Sequence, residues 1–277
     1  MDWNGYAKTA RLAAAESAVL LRNENDALPL AAGEKVAVFG RIQFHYYRSG
    51  TGSGGMVNVP YETNVLDALK ESGQCSIDQT VENIYRMWLK NHPFDRTFIE
   101  KDFWYVEPWA QEEMPVSESM VAEAAGKNTS ALIVIGRTAG EERDSLPERG
   151  SWYLSEVEED LIRKVTEYFP KTIVVLNTAN IIDMSWVKTY QPSSVLYIWQ
   201  GGMEGGNAAA DILLGRVNPC GKLSDSIAAS LSDYPSDSNF GDKKENVYQE
   251  DIYVGYRYFE TFAPDKILYP FGFGLSY

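Results

Sequence analysis

Residues 131–150 read ALIVIGRTAGEERDSLPERG. The first five form an unbroken apolar run, rich in Val and Ile, that stops at Gly136. That is the pattern of a strand buried on both faces of a parallel sheet. Directly after it come Arg137, Glu141, Glu142, Arg143, Asp144, Glu148 and Arg149, in a segment punctuated by Gly140, Pro147 and Gly150. A charged loop beyond the carboxyl end of such a strand occupies the place where open α/β sheets put their ligands, so these residues are candidates for a site. The competing explanation for the cluster is a solvated, salt-bridged surface loop.

The same strand-then-helix rhythm extends outward from this stretch. Upstream, residues 6–21 place Ala7, Ala10, Ala14, Ala18 and Leu21 on one side at helical spacing. KVAVF at 35–39 is a first buried strand, residues 63–72 make a helix stopped by Gly73, residues 81–89 make another, and Ser117 caps a helix through Ala125. Between 92 and 115 the pattern is irregular and aromatic. Downstream, Ser155 opens a helix with Glu158 at capping-box spacing, TIVVL (172–176) and VLYIW (195–199) are further strands, and residues 207–214 are helical. This order predicts an α/β fold, a mostly parallel sheet with helices on both faces. IYVGYRYF at 252–259 is expected to be a strand or edge ribbon. No repeat or linker divides the chain, so one domain over residues 1–277 is the simplest account.

Composition narrows the chemistry. The 277 residues are 44% hydrophobic, enough for a real core, and the net charge of −14 opposes nucleic acid and anionic membrane as partners. Cys75 and Cys220 make neither a disulfide framework nor a metal site, which fits a reducing, cytoplasmic setting, and no run reaches membrane-spanning length. With His45 and His92 as the whole histidine complement, a Ser-His-Asp triad or a His-rich metal centre has no supporting motif, and no cofactor is expected. Seven Trp and seventeen Tyr beside many carboxylates suit sugar rings as well as a core. Glu204, set among Gly201, Gly202, Gly205 and Gly206 past a strand end, is a second candidate ligand carboxylate, although those glycines serve a tight turn equally well. SGTGSGG at 49–55 lacks the Gly-Lys-Ser/Thr ending of a phosphate loop and reads as a flexible or close-packed loop.

The segments KVAVFG, SGTGSGG, RTAGEERD, QGGMEGGNAAADILLGRVNPCGKL and DIYVGYRYF followed by YPFGFGLSY occur in the order seen in the second domain of glycoside hydrolase family 3. The chain resembles that domain over nearly its whole length. Two departures, Pro219-Cys220-Gly221 and Leu223-Ser224-Asp225-Ser226, lie away from the charged loop. The resemblance implies a three-layer α/β/α sandwich of about six strands, packed against a (β/α) barrel that carries the nucleophilic aspartate and is not in this chain. Some members of that family carry the sandwich first and the barrel after it, and that order is the one expected here, since Met1 lies only a few residues before the opening helix. In the family the sandwich lends the general acid/base from a loop resembling RTAGEERD, and the carboxylate after Ala139-Gly140 is Glu141.

The loop's chemistry agrees. A retaining glycosidase needs a nucleophilic carboxylate and a second, protonated one roughly 5 Å away to protonate the leaving oxygen. Glu141 is the preferred acid and Glu142 the alternative, since Glu142 tends to raise its neighbour's pKa and Arg143 to lower it. Arg137, Arg143 and Asp144 are expected to position the loop or bind sugar hydroxyls. The expected activity is a β-glucosidase acting on β-linked oligosaccharides or glucosides, with β-xylosidase and N-acetylhexosaminidase as alternatives. A non-catalytic carbohydrate-binding or interaction module of the same fold is the reading from another class. Without the barrel the lone chain is expected to be inactive, and apolar surface at 94–109 and in the terminal YPFGFGLSY is expected to favour self-association into a homo-oligomer.

Overall fold

The computed structural model describes residues 2–99, 104–141 and 143–277. Along the chain its strands are β1 (Val19–Asn23), β2 (Lys35–Phe39), β3 (Ser76–Ile77), β4 (Thr97–Ile99), β5 (Trp104–Val106), β6 (Ser130–Arg137), β7 (Thr172–Thr178), β8 (Ser194–Tyr197), β9 (Ile227–Ala228) and β10 (Ile267–Tyr269). Its helices are α1 (Trp3–Ser17), α2 (Val65–Ser72), α3 (Gln79–Leu89), α4 (Glu118–Ala125), α5 (Glu156–Tyr168), α6 (Ser185–Tyr190), α7 (Gly205–Leu213) and α8 (Tyr256–Phe262).

Six strands make the main sheet in the order β1-β8-β7-β6-β2-β3, all parallel except β1, which runs antiparallel to β8 at the edge. β6 sits inside, paired with β7 from Ala131↔Thr172 to Arg137↔Thr178 and with β2 on its other side. Both faces of β6 are buried, which explains its unbroken apolar run. Ala131, Ile133 and Ile135 face a layer containing α3, α4, α5 and α6, whereas Leu132 and Val134 face α2 and α7. This is the three-layer α/β/α sandwich. Truncating Leu132, Ile133 or Ile135 to Ala costs about 2–5 kcal/mol, because the packed layers close the hole only in part.

The helix ends follow their local signals. Gly73 ends α2 in the left-handed region, Ser117 caps α4, and Ser155 with Glu158 forms a reciprocal capping box on α5. Two expectations are corrected. Residues 18–21 are not helical: α1 stops at Ser17, and Val19, Leu20 and Leu21 are the buried start of β1, their side chains split between the two cores. Residues 256–262 are a helix rather than a ribbon, because α8 buries Phe259 against Ala228, Ala263 and Tyr234. Among the described residues no helix is long and apolar enough to cross a membrane.

The chain leaves β2 toward β3 on one side and returns to β6 on the other, so the crevice between the carboxyl ends of β2 and β6 is the sheet's switch point. Here the crevice is filled from within. Ile42 and Tyr47 close on Gly136 so tightly that an added Cβ there would lie 2.8 Å from each. Arg41 and Glu113 are buried alongside, Glu113 accepting hydrogen bonds from the Arg41 and Met114 backbone N–H groups at 2.9 and 2.8 Å. The charged loop that follows β6 lies outside this filled crevice.

Candidate active site

The loop leaves β6 under tight constraint. Arg137, 3% exposed, forms a bidentate pair with Glu158 of α5, both bonds 2.6 Å, and also donates to the carbonyls of Gly136 and Ser151. Its described donors are engaged inside the domain, where Arg137 ties β6 to α5; this agrees with the positioning half of its expected role and lends no support to the sugar-binding half. Thr138 donates its N–H to the Trp109 carbonyl at 2.9 Å and its hydroxyl to Glu107 at 3.0 Å. Glu107 is buried, and burial raises its pKa while the Thr138 bond and the nearby Arg96 and Arg143 charges oppose the rise.

The glycine-rich segment then meets the loop edge to edge. Thr51 donates its N–H to the Ala139 carbonyl at 2.8 Å, and Thr51 and Gly140 form a parallel bridge. A Cβ on Gly140 would lie 2.5 Å from the Thr51 carbonyl oxygen, and one on Gly50 would lie 2.3 Å from the Ala139 oxygen. Those glycines are therefore required by close backbone approach. The close-packed alternative for SGTGSGG is the correct one.

This contact delivers a partner to Glu141. The Glu141 carboxylate stands exposed at the tip, and one of its oxygens accepts the Ser53 hydroxyl at 2.8 Å and the Ser53 N–H at 3.3 Å. Both bonds favour the ionised form, the hydroxyl most, and hold the pKa of Glu141 below the ordinary glutamate value. Glu142 lies outside the described residues. Arg143 lays its guanidinium over the Trp109 ring, 4.0 Å from the centroid, and donates to the Glu107 carbonyl. Asp144 is exposed, and its carbonyl accepts the Trp109 indole N–H at 3.1 Å. Beside the loop a cleft of about 320 Å³ opens between Tyr47, Ser49, Gly50, Phe94 and Glu107.

Glu204 takes no part in this cluster. It is 5% exposed and accepts from Tyr61 and from Asn207 at 2.7 Å, where it anchors the start of α7 against the segment before α2. Its expected role as a sugar ligand finds no support in this enclosed setting, where both carboxylate oxygens already accept hydrogen bonds. Sequence reasoning missed Ser53, Glu107 and Trp109. A polar residue among glycines is a usable signal for Ser53, since glycines let backbones approach, whereas the irregular stretch holding Glu107 and Trp109 offers no periodicity to read.

Fold and loop together define the class, an α/β sandwich of the kind that glycoside hydrolases carry. The model described as the Glycosyl hydrolase family 3 C-terminal domain matches residues 18–277, and the chain belongs to that family. Among curated relatives, a β-glucosidase of Ruminococcus albus is 49% identical over 277 residues, all of this chain and 29% of that protein. β-Glucosidase A of Butyrivibrio fibrisolvens is 40% identical across 96% of this chain and 34% of its own length. Among solved structures, a β-glucosidase from Paenibacillus barengoltzii superposes with a TM-score of 0.95 at 49% identity, covering 100% of this chain and 30% of that one. β-Glucosidase 3B from Thermotoga neapolitana, in complex with α-D-glucose, gives 0.88 at 38% identity, over 100% and 39%. The chain thus spans about a third of the length of the relatives it matches.

Proposed function

We propose that this domain supplies Glu141 as the general acid/base of a retaining β-glucosidase, acting on terminal β-linked glucosyl residues together with a (β/α) barrel of the same enzyme that carries the nucleophile. The observation that carries the proposal is the placement of Glu141: an exposed carboxylate on a loop whose backbone is locked to β6 and to residues 50–51, with Ser53 fixing one oxygen. Among the described residues the other oxygen has no hydrogen-bond partner, and it is the one that would face a glycosidic oxygen. Relatives named as β-glucosidases support the choice of activity.

In the lone domain Glu141 is held as a carboxylate, which is the base form. Acid character arises on assembly, since a nucleophilic carboxylate roughly 5 Å away disfavours a second negative charge and raises the pKa of its partner. Before the first step Glu141 carries the proton and gives it to the leaving oxygen as the nucleophile attacks the anomeric carbon. Glu141, now ionised, next takes a proton from water as that water attacks the glycosyl-enzyme. Arg143 and Asp144 shape the loop beside the reacting centre. A reducing compartment such as the cytoplasm suits Cys75 and Cys220, which stand unpaired.

The test is Glu141→Ala in the full-length enzyme. Hydrolysis of alkyl β-glucosides should fall by roughly 10²–10⁴-fold, while the first step on dinitrophenyl glucosides is spared because a good leaving group needs little protonation. Azide should then restore turnover and give a glycosyl azide of retained configuration. The same pattern in Glu142→Ala, and not in Glu141→Ala, would move the assignment by one residue. Sugar binding without hydrolysis in the unmodified full-length protein would favour the non-catalytic module.

A further inference from the structure

We infer that Trp109 is a positioning residue for Glu141, a staple that closes the acid loop at its base and fixes where the carboxylate stands. The inference rests on the reading of Glu141 as the acid/base. Trp109 belongs to a different segment of chain, just beyond β5, yet it grips the loop on both sides of Glu141. Its carbonyl accepts the N–H of Thr138, three residues before, at 2.9 Å. Its indole N–H donates to the carbonyl of Asp144, three residues after, at 3.1 Å. Its ring carries the Arg143 guanidinium at 4.0 Å, and that guanidinium also donates to the Glu107 carbonyl two residues before Trp109.

Between these anchors the turn is closed on itself by the Arg143 N–H to Gly140 carbonyl bond at 3.0 Å. Glu141 is exposed, and the described hydrogen bonds of its carboxylate go to Ser53 alone. The position of the acid is therefore set by loop backbone, and the loop backbone is set by Trp109 on one side and Thr51 on the other. A misplacement of about 1 Å at a proton donor costs up to about 10²-fold in rate. The cost falls only on steps that use the proton, so a staple acting through Glu141 has a signature that a general structural role lacks.

The experiment compares Trp109→Leu, which removes both the ring and the N–H, with Trp109→Phe, which keeps a ring under Arg143 and removes the N–H, in the full-length enzyme. Trp109→Leu should lower kcat/KM on an alkyl β-glucoside by about tenfold or more and on 2,4-dinitrophenyl β-glucoside by less than about twofold. Trp109→Phe should separate the two substrates by about threefold. In a Glu141→Ala background Trp109→Leu should add no further separation. Equal losses on both substrates would overturn the staple, as would a separation that persists on top of Glu141→Ala. If Trp109→Leu does not fold, Trp109→Phe decides, and its equal treatment of both substrates is the overturning result. A Glu141→Ala enzyme that treats the substrates alike removes the acid assignment and this inference with it. One that separates them, beside Trp109 variants that do not, removes the staple alone.

Discussion

Ser53 gives Glu141 two hydrogen bonds and so favours the ionised form of its carboxylate. Ser53→Ala removes the hydroxyl and leaves the backbone N–H, so the pKa of Glu141 should rise toward the ordinary glutamate value. A carbon-detected NMR titration of the Glu141 carboxyl in the isolated chain would read it; an unchanged midpoint would mean that the hydroxyl bond carries no weight. At this scale the sequence was half legible. RTAGEERD announced a carboxylate by its own charge and by family resemblance, but charge alone could not separate the exposed Glu141 from the sequestered Arg137 and Glu204. What separates them is where each side chain ends. The Arg137 guanidinium turns inward to Glu158, and the Glu204 carboxylate is closed off by Tyr61 and Asn207. Neither direction is written in a one-dimensional string.

Among the elements, the join between β6 and α5 matters most, because the loop that carries Glu141 spans it. Glu158 serves there twice: it caps α5 through the Ser155 N–H at 2.8 Å and neutralises Arg137 with both oxygens. Arg137→Met strands a buried carboxylate and should cost about 3–5 kcal/mol in urea denaturation. Adding Glu158→Met should recover part of that loss, leaving mainly the missing cap, worth about 1 kcal/mol. Additive single losses would show that the pair is not coupled. The capping box was plain in Ser155 and Glu158, since capping is local, whereas the ion pair joins residues 21 apart and was invisible. The two misread elements have the same origin. Residues 18–21 continue the periodicity of α1 and become a strand only because β8 offers an edge, and α8 exists because Phe259 finds a pocket made by distant residues.

For the whole molecule, the filled switch point carries a pH dependence. Burial pushes the Glu113 carboxyl up to about 7, against the pull of the Arg41 and Met114 N–H groups, with the Glu158 charge adding to the rise and Arg41 opposing it. An unfolded glutamate titrates near 4.3. Between about 4.3 and 7 the folded chain keeps a proton that the unfolded chain has released, so this group's contribution to stability declines as pH climbs through that window and levels off above it. The whole excursion is roughly 4 kcal/mol at most. Glu113→Gln should flatten the fall in Tm between pH 5 and pH 8, and a slope as steep as before would place its origin elsewhere. The layered architecture was readable from strand and helix order, and the expected apolar surface is present in part: Val106 of the 94–109 stretch and Phe271, Leu275 and Tyr277 of the terminal one stand exposed, while residues 100–103 lie outside the described residues. Phe94 is half-buried against the core and Trp109 lies under Arg143, while Phe240, Tyr248, Ile252 and Phe262 stand exposed. The anchoring of the acid loop also bears on how such a domain changes over generations. Arg137, Thr138 and Gly140 are locked to distant partners, whereas Asp144 and Glu148 project into solvent. If Glu141 is the acid/base as proposed, a lineage can rewrite the exposed positions, and with them the groups that would meet an arriving aglycone, with little effect on folding. The loop is a stretch of permissive positions mounted between immovable ones, so new specificities lie within reach of single substitutions while the scaffold is inherited unchanged.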